Sequence, residues 1–345
     1  MNILYIKRDY YKKGIKIKDL RKIPHQLRSK NKLVDQNGFF EGALYATFKV
    51  TEVSWHLLKR LPLSLFKNID ALIVNQKSAI TPDETKKLAL YFSSTPKILF
   101  SCSAKVDKMA PDSLLNNYDL IFKREPYKDL DRYSDLSAHN KKKIRPTMLF
   151  CPFVKINKKE AANYSFKPEL EKPANEKTYD FSFAGKGTSV ERYLACNVIG
   201  DDHNLKSYLS IIDTKYSKRP EYVSPQIKNI KLNSSKYKQL INQTKVNFAP
   251  EGIGQFTYRH LELWHSGAFM LCSPSLKEYQ LPGNNPLEGI HFVSYENKQD
   301  LLDKIYYYLE QEEQRKKIAA AGQQLFAEIY DFKKHGQFIK DSIMA

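Results

Sequence analysis

The chain has 345 residues, long enough for two domains with a core each, and 42% hydrophobic with 12% aromatic content excludes a mainly disordered protein. Lysine and arginine outnumber aspartate and glutamate 56 to 38, and the formal net charge of +18 favours an anionic partner: nucleic acid, an acidic membrane surface or a phosphorylated substrate. Cys102, Cys151, Cys196 and Cys272 are scattered without a CxxC pair or a zinc-like Cys/His spacing, and no run approaches the ~18 apolar residues of a membrane span.

The cysteines therefore read as reduced core residues. The N-terminus, MNILYIKRDYY, is charged too soon for a signal peptide, so a cytoplasmic protein is expected. The lysine excess is dispersed along the chain, a pattern that also serves plain solubility.

Strands are predicted at Asn2–Ile6, Ala71–Asn75, Ile98–Cys102, Leu120–Phe122 and Met148–Cys151. Gly38 to Gly42, which includes Glu41, is expected to be a loop at the ligand-binding edge. Thr81-Pro82-Asp83-Glu84 joins an N-cap, a proline in the first turn and a capping-box glutamate, so a helix starts there. Strands alternating with helices predict a parallel sheet covered on both faces. Residues 155–178 are polar, carry two prolines and lack periodicity, and are expected to link a first domain, 1–154, to a second, 179–334.

The second half repeats the plan. Strands are predicted at Tyr179–Ala184, Tyr208–Asp213, Lys245–Ala249, Phe269–Cys272 and His291–Ser294. Helices are predicted at Ser189–Val198, Lys236–Gln243, Gln299–Leu309 and Glu312–Tyr330. A last amphipathic piece within 335–345 is expected to pack back on the first domain. The fold class is α/β with two Rossmann-like halves.

Two glycine-bearing turns carry the chemistry. Val246–Met270 reads as a strand, a turn with Glu251, Gly252 and Gly254, and a helix that opens at Thr257. Such a turn aims backbone N–H groups and the positive end of a helix at one point, which suits a phosphate. Arg259 and Glu262 lie three apart on one helical face. The second turn, Gly185-Lys186-Gly187-Thr188-Ser189, ends a strand and opens a helix that carries Arg192. It has neither P-loop spacing nor the GxGxxG fingerprint, whose third glycine is here Val190. Two cationic loops at one sheet edge suggest a diphosphate.

Ile241 to Pro250, then Thr257-x-Arg259-x-x-Glu262 and Gly267-Ala268, resembles the C-terminal donor-binding domain of GT-B glycosyltransferases. The nearest likeness is to bacterial group 1 and CgeB-like enzymes, with a looser one to exostosin-type domains. His291 to Tyr295, Asp300 to Ile305, Arg315 and Ile318 to Gly322 follow in the order of that domain. The resemblance implies two Rossmann-like domains facing across a cleft, with the donor on the second and the acceptor on the first. It places the diphosphate against Gly185–Ser189 and Arg259, the ribose on Glu262, and requires neither a metal nor another cofactor. One position departs: relatives carry an acidic residue eight places before the ribose glutamate, where this chain has Gly254.

The first domain offers Glu125, Asp129 and Glu41 as candidate bases for the acceptor hydroxyl, with ion pairing of Glu125 and Asp129 to Lys123, Arg124 and Lys128 as the alternative. His56, His260 and His265 read as packing or capping residues. The expected activity is sugar transfer from a nucleotide-sugar to a cell-surface glycan or lipid-linked acceptor, with docking on an anionic inner membrane face. A nucleic-acid-binding protein and a DNA-glycosylating enzyme are the alternatives for the charge. Arg259→Ala is expected to remove activity and leave the fold intact.

Overall fold

The structure is a computed structural model that describes residues 1–7, 32–33, 35–168 and 177–345. These form two compact units: Met1–Ser165 with Gln280–Pro282 and Asp331–Ala345, and Phe166–Tyr279 with Gly283–Tyr330. Residues 169–176 of the expected linker, and residues 8–31, lie outside the described residues.

The first unit contains, in order, β1 (Asn2–Lys7), β2 (Lys32–Leu33), α1 (Gly38–Thr47), β3 (Lys49–Ser54), α2 (Trp55–Leu58), a 3-10 turn at Leu63–Phe66, and β4 (Ala71–Asn75). Then follow α3 (Pro82–Tyr91), β5 (Lys97–Ser101), α4 (Asp112–Leu115), β6 (Leu120–Arg124), α5 (Ala138–Lys142), β7 (Ile144–Thr147) and β8 (Ile156–Asn157). Six strands form a parallel sheet in the order β3-β1-β4-β5-β6-β7. β4 and β6 are buried at every position, as central strands covered on both faces are. The capping box at Thr81 starts α3 as its residues require.

Three sequence expectations are corrected here. Gly38 to Gly42 is the first turn and a half of α1, not a loop. A side chain at Gly42 would collide with the Phe332 ring, so the glycine marks close helix packing, and an apolar GFFEGAL run satisfies that packing as well as a loop would. The last strand is Ile144–Thr147, one step before the expected Met148–Cys151; those residues are buried without pairing, so burial alone misplaced the strand. The exposed edge strand β3, KVTEVS, was not foreseen, because an edge strand with one open face has no continuous apolar run. β8 also pairs antiparallel with β2, inside the stretch expected to be linker.

The second unit contains β9 (Tyr179–Lys186), α6 (Val190–Gly200), β10 (Ser207–Ile212), α7 (Ser234–Asn242), β11 (Thr244–Ala249), α8 (Tyr258–His265), β12 (Met270–Cys272), β13 (Val293–Ser294), α9 (Lys298–Glu310) and α10 (Glu312–Ile329). Its parallel sheet runs β10-β9-β11-β12-β13 around a core that includes Phe181, Phe183, Val246, Phe248, Leu271, Leu301 and Ile318. The final helix, α11 (Phe332–Met344), belongs to the first unit, where it packs on α1. All four cysteines are buried thiols outside any disulfide.

Strand order decides where ligands bind in such sheets. In the second unit it reverses between β9 and β11, and in the first between β1 and β4. The crevice at the carboxyl ends of strands flanking a reversal is where open α/β sheets hold ligands. The two glycine turns, after β9 and after β11, therefore flank the second unit's reversal.

Candidate functional site

β9 and β11 stay paired as far as Asn247 opposite Ser182. Beyond that point the Arg259 guanidinium lies between them. It donates to the carbonyls of Phe248, Ala184 (3.0 Å) and Ser182 (3.4 Å) and, at 2.7 Å, to the Tyr237 hydroxyl. The Tyr237 hydroxyl in turn donates to Glu262 Oε2 at 2.9 Å. Tyr237 on α7 thus ties the two residues that the sequence paired, and nothing local in the sequence around it signals that role. Glu262 is buried, and burial raises its pKa against the opposing effects of Tyr237 and Arg259.

Arg192 joins the two glycine turns. Its Nε donates to the Glu251 carbonyl at 2.6 Å, Nη1 to the Lys186 carbonyl at 2.7 Å and Nη2 to the Pro250 carbonyl at 3.4 Å. Ser189 Oγ donates to the same Glu251 carbonyl at 3.0 Å, and Ser273 Oγ accepts from the Glu251 amide at 3.1 Å. A Cβ at Gly252 would crowd Arg192, so the turn needs glycine for this approach. The Gly252 amide donates to the Gly254 carbonyl at 2.9 Å, while Gly187 and Thr188 close the first turn through Ile212 and Lys186 carbonyls.

Arg192 and Arg259 both lie over the Phe183 ring, 5.6 and 5.2 Å from its centroid. Both are buried, and burial together with the charge of Arg259 lowers the Arg192 pKa to about 10. Neither has a carboxylate within ion-pairing distance among the described residues. Two buried cations held only by dipoles make a strongly positive point.

Thr257 is the N-cap of α8, and its amide donates to His260 Nδ1 at 3.1 Å. His260 therefore fills the capping position that a glutamate usually occupies, and burial lowers its pKa to about 3, so it adds no charge. His265 packs on Phe166 and Phe326, and His56 is exposed on α2.

Tyr237→Phe keeps the ring and removes both hydroxyl bonds. It is expected to weaken nucleotide binding about five- to tenfold with a small change in stability. Calorimetric titration with nucleoside diphosphate checks this, and unchanged affinity would show that the tyrosine orients nothing.

The first unit separates its three carboxylates. Glu41 on α1 is half-buried and accepts from Tyr5 Oη on β1 at 3.0 Å, while Asn75 Nδ2, at the end of β4, donates to the same hydroxyl at 3.1 Å. It therefore stands at the reversal point of that sheet. Burial, then the charges of Asp35 and Glu52, raise its pKa from 4.5 to about 7, with Lys158 opposing. Glu125 is fully buried at a positive φ of 40°, with Oε1 accepting from the Leu149 amide and Oε2 from Arg124 Nη2 at 3.4 Å. Asp129 is exposed and caps a 3-10 turn by accepting from the Asp131 amide at 3.0 Å.

The expected ion pair of Glu125 with Arg124 forms, but in the interior rather than on the surface, since Lys123 and Arg124 are both buried. Lys123 Nζ donates to the carbonyls of Ser103, Lys105 and Arg124 at 3.1–3.3 Å, and burial lowers its pKa to about 7. A strand-end KRE reads as solvated in sequence, because the carbonyls that receive the charges come from distant turns.

Residues 178–341 match the family described as "Glycosyl transferase-like". HepE of Anabaena, solved in complex with UDP, is similar in structure over 100% of both chains, with a TM-score of 0.57 at 10% identity. The chain has the two-sheet α/β fold of GT-B glycosyltransferases. A glycosyltransferase from Rickettsia africae ESF-5 is similar at a TM-score of 0.60 and 12% identity, over 99% of this chain and 97% of the other. T4 phage BGT, in complex with its UDP-glucose substrate, is similar at 0.52 and 14% over 99% of each chain. No curated protein matches this chain. At these identities the likeness to solved structures is one of fold, and this GT-B chain supplies its own site residues.

Proposed function

We propose that this chain is a glycosyltransferase that uses a UDP-sugar as donor, bound at the β9/β11 reversal of the second unit. The observation that carries the reading is the pair of buried guanidiniums, Arg192 and Arg259, with no carboxylate partner among the described residues, beside two glycine turns. A diphosphate supplies the missing negative charge, and the nucleotides in the HepE and T4 BGT structures support uridine. Glu262 Oε1 accepts from ribose hydroxyls while Oε2 stays on Tyr237.

The transfer breaks the bond between the anomeric carbon and the diphosphate and forms a bond to an acceptor oxygen. Negative charge grows on the leaving diphosphate, where the fixed cations stabilise it without reorganising. The acceptor hydroxyl gives up its proton to Glu41, whose raised pKa suits a general base near neutrality. Glu125 and Asp129, each engaged by backbone amides, hold strand-end turns in place. No metal or other cofactor is required by this scheme.

The acceptor proposed is a cell-surface glycan or a lipid-linked intermediate, reached from the cytoplasmic side. DNA is the second reading, favoured by the net charge and by the similarity to the DNA modifying enzyme beta-glucosyltransferase, at a TM-score of 0.52 and 13% identity over 100% of both chains.

A panel of nucleotide sugars, scored by thermal stabilisation and donor hydrolysis with and without chelator, tests the donor. UDP-sugars are expected to raise the unfolding midpoint, and Glu262→Gln to reduce that shift by weakening binding about tenfold. Stabilisation by guanosine or adenosine diphosphate sugars alone would overturn the uridine reading.

A further inference from the structure

Among the described residues of the first unit, six large apolar side chains are exposed, and four of them, Leu57, Leu65, Leu90 and Tyr91, belong to α2, the Leu63–Phe66 turn and α3. Leu65 and Leu90 are 67% and 77% exposed, well beyond a side chain that merely borders a core. The β3-to-β4 and β4-to-β5 connections advance in one direction across the sheet, so right-handed crossovers lay these elements on one face. They are also joined directly: Trp55 Nε1 donates to Glu84 Oε2 at 2.9 Å, and Lys59 Nζ pairs with Glu84 Oε1 at 3.3 Å.

The same face is cationic. Lys59, Arg60, Lys67, Lys86 and Lys87 are exposed on these elements. Of the acids there, Glu84 is engaged by Trp55 and Lys59, and Asp70 holds the Asn2 amide at 2.6 Å, which leaves Asp83 as the counterweight. Leucines that protrude from a turn, ringed by lysines, match neither a core nor a purely solvated surface.

We propose that this face docks on an anionic lipid bilayer. The leucines and Tyr91 enter the boundary between headgroups and acyl chains, and the basic residues answer the lipid phosphates. No helix among the described residues is long and apolar enough to cross a membrane, and docking of this kind requires none. The inference gives the proposed lipid-linked acceptor a physical location, and its test reads binding without turnover, so it stands or falls apart from the donor chemistry.

The full chain is sedimented with vesicles of phosphatidylcholine alone and with phosphatidylglycerol added, at low and high salt. Binding is expected only with the anionic lipid and is expected to fall with salt. Leu65→Ser with Leu90→Ser, and separately Lys86→Glu with Lys87→Glu, should each lower partitioning about fivefold or more. All four positions are on the surface, and circular dichroism verifies that the variants fold. Lys231→Glu with Lys236→Glu makes the same charge change on the second unit and should leave partitioning within about twofold.

Equal loss in that control would reduce the effect to net charge and overturn the docking face. So would binding unaffected by the leucine pair, equal binding to neutral vesicles, or no binding at all. Self-association that the leucine variants abolish, without vesicle binding, would instead make the face a protein interface and refute the proposal.

Discussion

Arg259→Ala is expected to lower the stability of the second unit by about 3–4 kcal/mol, together with nearly all transferase activity. The side chain is only 5% exposed and supplies donors to three carbonyls of β9 and β11 and to Tyr237. Truncation removes the donors that hold those carbonyls together at the edge where β9 and β11 part. This revises the expectation of an inactive variant with an intact fold. Thermal unfolding separates the two effects: the midpoint should fall by roughly 10 °C. Arg259→Lys should recover part of the stability but little activity, because one ammonium cannot span three carbonyls and Tyr237. A wild-type midpoint in the alanine variant would show that the residue does not clamp the strands.

Glu41→Gln is expected to reduce turnover by about 10²–10⁴-fold while leaving donor binding on the second unit unchanged. A base works only when unprotonated, so wild-type activity should rise with pH to a plateau, with its midpoint near the pKa of about 7. Stability should move the other way. The pKa is raised on folding from 4.5 to about 7, so the folded state holds more protons across that window and stability falls as pH rises through it. Glu41→Gln should flatten that fall. A variant with normal turnover and an unchanged acid limb would exclude Glu41 as the base, and the flattened stability curve would still report its titration.

How much was legible varies by residue. β9 and β11 were readable because each is a largely buried run that leads into a glycine turn. Arg259 and Glu262 were found together because helical spacing places them on one face. Tyr237 was not found: its contacts to them span 22 and 25 residues, and a lone tyrosine on a short amphipathic helix carries no mark of its partners. Glu41 was identified as a candidate, but in a loop. The GFFEGAL run supports helix or turn equally, and only packing against Phe332 and Phe150 selects the helix.

The sequence by itself determined the doubled α/β plan, the two glycine turns and the cationic character, because those depend on local periodicity, on glycine and on composition. Tertiary structure alone decided what the charges do. Arg192 and Arg259 became clamps on backbone carbonyls, Lys123 and Arg124 became interior residues, and Glu41 rather than Glu125 stayed partly accessible, burial raising the pKa of both. Burial and electrostatic partners are set by strand order, which brings distant turns to one edge, and no short stretch of residues encodes that order.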